Sequence, residues 1–259
     1  MQHRPNIGSV LGPFLFTAFM GSIDLSKSNA KCVKYADDVT VIETVSPNAP
    51  STITLDDCEA VFNSRGLLLK KSKCKFLSIH RTKSRHHSSS NGFTEVEAVK
   101  ILGVTITNSF KWNCNVSAKI KTASRRLHII RCLKNMLDTK ELVNVYHALI
   151  TSVLMYASPA CGRLPITLIN KLERLQKRAH RIICSPNCEC SSFPLLSSRF
   201  DAAATDLLIR SGDHSSHPLY HLVPDKLPRR GHFRIPACNT NRRLNSFFPW
   251  ASLLYNAKS

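Results

Sequence analysis

The chain has 259 residues, 43% of them apolar, which is enough for a folded core and excludes a chain disordered throughout. Lys and Arg number 36 against 17 Asp and Glu, a formal charge of +19 that repels itself and calls for a polyanion or acidic surface as partner. The ten cysteines follow no regular framework, so a disulfide-stapled secreted protein is set aside for an intracellular one, nuclear or cytoplasmic. Cys132 and Cys161 lie in apolar helical patterns and read as core residues.

Residues 10–20 are apolar but too short to span a bilayer, and Gly12 and Pro13 interrupt them. Pro13 suits a first helical turn, so a helix is expected over 14–23. Two short strands follow over 31–43, carried by Val33, Tyr35, Val39, Val41 and Ile42, with Asp37-Asp38 at the turn. Ser51 is placed to cap a helix bearing Leu55, Cys58 and Phe62, which Gly66 ends. One or two strands are expected over 67–79, then a basic, Ser-rich loop over 80–92. Residues 99–107 alternate as a hairpin strand, with Gly103 allowing close backbone approach.

After Trp112 the apolar period becomes helical. Val116, Ile120, Ala123, Leu127, Ile130 and Leu133 mark one long helix, with Lys119, Arg126 and Arg131 off its apolar face. Asp138 and Glu141 have the spacing of a capping pair for a second helix with Leu142, Val145, Leu149 and Val153 on its face. A third helix starts near Pro165 and carries Ile169, Leu172, Leu175, Ala179 and Ile182. From Ser185 onward the periodicity fades into a basic, irregular extension. Charge is uneven along this path: between Glu59 and Asp138 there are 16 Lys and Arg but only Glu95 and Glu97 as acids. Such a stretch is either a solvated face or a surface that tracks phosphates, and the scarcity of acids favours the second.

Asp37 and Asp38 are the sharpest chemical signal. Adjacent carboxylates between apolar strands repel each other unless a cation compensates. Oxygen ligands of this kind suit Mg²⁺ or Mn²⁺, and paired ions can drive phosphoryl transfer. Taken alone, the pair also fits a plain solvated turn. His180, Cys184, Cys188 and Cys190 invite a zinc reading, but their spacing fits no common structural zinc pattern, so zinc is not expected.

The neighbouring motifs, taken in order, resemble the polymerase domain of non-LTR (LINE-type) retrotransposon reverse transcriptases. Gly8-Ser9-Val10-Leu11-Gly12-Pro13 resembles the turn and helix that contact template and nucleotide, and Tyr35-Ala36-Asp37-Asp38 the metal-binding hairpin. Residues 63–76 resemble the following motif, in which Lys73 matches a lysine that protonates the leaving pyrophosphate. Lys100-Ile101-Leu102-Gly103-Val104 resembles the hairpin that grips the primer end, and the three helices after it resemble the thumb and the segment beyond. His217-Pro218-Leu219, Thr240-Asn241-Arg242 and Ser246-Phe247-Phe248-Pro249 resemble the ends of such proteins.

The resemblance implies an α+β fold: a partial palm over 1–110, a helical thumb and following helices over 111–184, and an irregular extension over 185–259. It implies RNA-directed DNA synthesis on an RNA template and DNA primer from deoxynucleoside triphosphates. Asp37 and Asp38 would be metal ligands and Lys73 a general acid. Gly8, Ser9 and Tyr35 would contact nucleotide and template, and Leu102 and Gly103 the primer end. Lys119, Arg126 and Arg131 would face the duplex backbone. The sequence also departs from the family. Asn6-Ile7 replaces the usual Pro-Gln, and Lys70 replaces Asn. The family's first metal-binding Asp matches no position, since neither Asp24 nor Asp56 lies in a matching motif. Templated synthesis by this chain alone is therefore not expected. Nucleic-acid binding without catalysis, or a decayed copy, are the rival readings.

Overall fold

The computed structural model describes residues 10–27, 29–46, 51–79, 92–184, 193–228 and 231–258. The chain divides into two compact units, one of residues 1–100 with 107–110 and one of 101–106 with 111–259.

The first unit is mixed helix and strand. Helix α1 (Gly12–Gly21) starts two residues before the expected 14, because Pro13 occupies its first turn. It buries only Met20, while Phe14, Leu15, Phe16 and Phe19 are exposed. Strands β1 (Ala30–Tyr35) and β2 (Asp38–Glu43) form an antiparallel hairpin running from Ala30 opposite Glu43 to Tyr35 opposite Asp38. Its alternating residues Cys32, Val39 and Val41 pack with Leu25, Ile53, Cys58, Val61 and Phe62 in a small core. Burial pushes the Cys58 thiol up to about 11, with smaller contributions from neighbouring thiols and Asp57, which keeps it an inert core residue.

Helix α2 (Leu55–Asn63) supplies the helical side of that core. Its cap is Thr54, whose hydroxyl accepts from Asp57 N while Asp57 answers Thr54 N. Ser51, the expected cap, instead donates to Glu43 Oε2 at 2.5 Å. Burial would raise the Glu43 carboxyl, but donors on Ser51, Thr52 and Asn29 outweigh it and hold the group below its usual range. Gly66 ends the helix region at φ +71, as its sequence position implied. Residues 67–79 hold less strand than expected: a 3₁₀ turn (Lys71–Lys73) and then β3 (Lys75–Phe76), parallel to β4 (Thr94–Glu95). Strands β5 (Ala98–Ile101) and β6 (Val104–Thr107) form a hairpin closed by Leu102 and Gly103.

The second unit is helical. Helix α3 (Asn113–Leu133) buries Val116, Ala123, Leu127 and Ile130, the stripe read from sequence. Helix α4 (Thr139–Tyr146) begins at the expected Asp138–Glu141 capping box, with Glu141 N to Asp138 at 2.7 Å and Asp138 N to Glu141 at 2.9 Å. The expected single second helix widens into a π-turn (His147–Thr151) before α5 (Ser152–Met155). Here His147 Nδ1 meets Thr151 Oγ1 at 3.2 Å, and Ser152 donates back to Ala148 O. Side chains that bond one turn back compete with the regular backbone ladder. Helix α6 (Ile166–Ile183) is the third expected helix.

Beyond it, the expectation of an irregular extension does not hold for 196–213 or 247–256. Helix α7 (Leu196–Asp213) buries Leu196, Phe200, Ala204 and Leu208 at a four-residue spacing. Helix α9 (Phe247–Asn256) follows the short α8 (Asn241–Leu244) and buries Trp250 and Ala251. Both helices join one core with α3, α4, α5 and α6. Cys161 lies in that core, whereas Cys132 is exposed with its thiol 3.7 Å from His128 Nε2, so the sequence reading of Cys132 as a core residue is corrected. Among the described residues, no helix is long and apolar enough to cross a membrane.

Candidate functional site

The β1–β2 hairpin projects Asp37 and Asp38 at its tip. Tyr35 and Asp38 form the last pair of the ladder, so Ala36 and Asp37 make a two-residue loop. Ala36 has φ +51 while Asp37 is not in the left-handed region, the pattern of a type II′ turn. That first position favours Gly, and an Ala there stores roughly 1 kcal/mol of backbone strain. Replacing Ala36 by Gly is expected to stabilise the hairpin unit by up to about 1 kcal/mol, read from its urea midpoint. An unchanged or lower midpoint would mean that the turn holds no such strain.

Tyr35, Asp37 and Asp38 are all exposed, Tyr35 at 66%. Among the described residues, no hydrogen bond or ion pair holds either carboxylate. Glu43, at the other end of the same hairpin, has four donors on it. The tip end of the hairpin is anchored by Lys34, paired with Val39, whose ammonium donates to Gly21 O at 2.9 Å and Ile23 O at 2.5 Å at the end of α1. Two free carboxylates offer the oxygen donors that Mg²⁺ prefers. Among the described residues, however, no group of three His, Cys, Asp or Glu is placed to hold an ion. Asp24 accepts from Ser26 N at 2.9 Å, and Asp56 lies exposed in the first turn of α2. The donor chemistry suits the ion, but among the described residues the donor set is incomplete.

Lys73 is exposed on the 3₁₀ turn, next to Lys71, which pairs with Glu59 at 2.7 Å. Gly8, Ser9, Cys188 and Cys190 lie outside the described residues, as does most of the expected 80–92 loop.

The Leu102-Gly103 turn has two consecutive positive φ angles, +46 and +83, a type I′ turn. Leucine is poorly suited to that region. Tyr156, which the sequence reading passed over, braces it: its hydroxyl donates to Leu102 O at 2.6 Å. A Cβ on Gly103 would lie 3.3 Å from the Tyr156 ring. Lys119 continues the chain of contacts, donating to Tyr156 O at 2.7 Å and Leu154 O at 3.3 Å. Burial lowers its ammonium from the usual lysine range. Arg126 likewise donates to Leu149 O at 2.8 Å in the π-turn. Both cations are therefore directed at carbonyls left free by irregular helix, where the sequence reading had them facing a duplex. Arg131 is exposed as expected, and Lys121, Arg125 and His128 share the exposed side of α3.

Residues 3–106 match the family model for reverse transcriptase (RNA-dependent DNA polymerase). The chain is also 24% identical, over 193 residues, to the RNA-directed DNA polymerase from mobile element jockey of Drosophila melanogaster. That alignment takes in 68% of this chain and 21% of the relative, so the chain spans about a fifth of the relative's length. No solved structure matches. The hairpin bearing paired carboxylates lies inside the matched span, and the alignment with the jockey polymerase is longer than that span. The chain is thus similar to reverse transcriptases over residues 3–106 and to a mobile-element RNA-directed DNA polymerase over 68% of its length.

Proposed function

We propose that this chain supplies the carboxylate hairpin and the helical region of an RNA-directed DNA polymerase that acts on an RNA template and a DNA primer. The observation that carries the reading is the β1–β2 tip, where Asp37 and Asp38 stand exposed and unpaired beside Tyr35 within the matched family span. In this reading Asp37 is a metal ligand and Asp38 its supporting neighbour, and a further carboxylate comes from another segment. Mg²⁺ or Mn²⁺, when bound, supplies charge neutralisation for the deoxynucleoside triphosphate. Tyr35 lies under the primer end, and Lys73 is placed as a proton donor to the leaving pyrophosphate. Gly8 and Ser9 approach nucleotide and template. The Leu102-Gly103 turn, held by Tyr156 and Lys119, supports the primer terminus. The unit over 1–110 acts as palm, and the helices from 111 onward act as thumb and its continuation.

A second reading is nucleic-acid binding without catalysis, because among the described residues Asp37 and Asp38 have no third carboxylate, His or Cys beside them. One experiment tests both. The 259-residue chain is given a DNA primer annealed to RNA, deoxynucleotides and Mg²⁺. We expect no extension, and binding of the primed template unchanged by Asp37→Ala and Asp38→Ala. Extension that disappears with Asp37→Ala would show a complete catalytic site within these residues. Absence of primed-template binding even at low salt would remove the polymerase reading.

A further inference from the structure

Helix α6 presents five cations, Lys171, Arg174, Lys177, Arg178 and Arg181, all exposed. Lys171, Arg174, Lys177 and Arg181 follow one another at three or four residues, with Arg178 beside Lys177, so the five form one stripe about 15 Å long, opposite the buried Leu168, Leu172, Leu175 and Ala179. The helix's acid, Glu173, is buried on the inner side and bonds to backbone N–H groups of Leu196 and Ser197. None of the five cations takes part in an ion pair among the described residues. Neighbours one turn apart along the stripe carry like charge and weaken the helix, with no acid to relieve them.

We infer that this stripe is a binding surface for the phosphate backbone of duplex nucleic acid. Cations three or four residues apart stand roughly 4.5–6 Å apart along the axis, close enough to meet consecutive phosphates of one strand. Three of the five are arginines, whose planar forks grip phosphate oxygens through paired hydrogen bonds. The exposed remainder of the helix, Ile166, Thr167 and Asn170, has no aromatic ring on which an unpaired base could stack, so a duplex is favoured over a single strand. Contacts to phosphate alone make the surface indifferent to sequence. The inference rests on the proposed nucleic-acid reading for its class of partner, while the location comes from α6 itself.

The test is equilibrium binding of the full chain to a mixed-sequence RNA–DNA duplex, by fluorescence anisotropy across a series of NaCl concentrations. It compares the unaltered chain with a variant carrying Lys171→Gln, Arg174→Gln, Lys177→Gln, Arg178→Gln and Arg181→Gln. The slope of log K against log salt is expected to become shallower by roughly 3–4 in the variant, since each released phosphate contact contributes about 0.9. Affinity should fall at least about 100-fold at moderate salt, equally for unrelated sequences. The variant's thermal midpoint should be equal or higher, because like-charge repulsion is gone. An unchanged slope in a folded variant would overturn the assignment to α6 while leaving nucleic-acid binding by the chain in place. If the unaltered chain binds no duplex, both the stripe and the broader reading fall.

Discussion

Replacing Gly162 by Ala is expected to cost the helical unit about 3–5 kcal/mol, a large share of the stability of an ordinary domain. Gly162 follows the 3₁₀ turn (Pro159–Cys161) with φ 60 and ψ −156, a region that residues with a Cβ rarely enter. That strain alone is worth roughly 1–3 kcal/mol. The site also lacks room: a Cβ would lie 2.2 Å from Asn245 O and 3.2 Å from Ser246 Cα, both backbone. Arg163 N donates to the same Asn245 O at 2.8 Å. The methyl would displace the segment that leads into α9, break that hydrogen bond, and lift Trp250 and Ala251 from the shared core. Urea midpoints and protease sensitivity of the C-terminal segment measure the effect. Gly212 in α7 is the control, because a Cβ there meets only Val223 Cγ1 at an ordinary 3.6 Å. Near-normal stability of Gly162→Ala would show that the 245–246 segment is not docked as described.

The second large effect is expected at Glu173. Helix α7 has no side-chain cap of its own. Its first N–H groups are met from α6 by Glu173 Oε1, 2.6 Å from Leu196 N and 3.3 Å from Ser197 N. Gln176, one turn later, donates to Pro194 O at 2.8 Å and accepts from Tyr146 OH at 3.1 Å. Glu173→Leu would leave two buried donors unmet, at a cost of about 2–4 kcal/mol. Glu173→Gln keeps the accepting oxygen and should cost less than half as much, because Oε2 makes no hydrogen bond that would be lost. Equal losses in the two variants, measured by thermal unfolding, would show that the carboxylate's charge matters here and its accepting oxygen does not.

These two residues also mark where the sequence stopped being legible. Local chemistry was readable. The Asp138–Glu141 capping box, the apolar stripes of α3 and α6, and the β1–β2 hairpin follow from residue type and spacing within a few residues. Features that depend on a distant partner were not. Glu173 looks like any polar residue of a surface helix until α7 arrives against it, and Gly162 like any loop glycine until Asn245 does. Helix α7 itself hid behind a Ser- and Cys-rich approach, and its buried stripe includes the small residues Ala204 and Ser211. The same limit governed the cations. Lys119 and Arg126 flank the apolar stripe of α3 and turn inward to carbonyls, while the freer basic face lies on α6. Charge counted along a chain does not separate a side chain that closes a helix end from one that waits in water.

The exposed side of α1 has a consequence for how the molecule behaves in bulk. Phe14, Leu15, Phe16 and Phe19 leave exposed apolar surface on a particle of charge +19. At low ionic strength, mutual repulsion keeps such particles apart before these surfaces can meet. Added electrolyte shortens that repulsion to within about 10 Å at 0.1 M. Sulfate and phosphate also strengthen apolar contact. Concentrated salt is therefore the condition in which copies of the chain adhere to one another. Its colloidal stability is greatest in dilute chloride and least in concentrated sulfate.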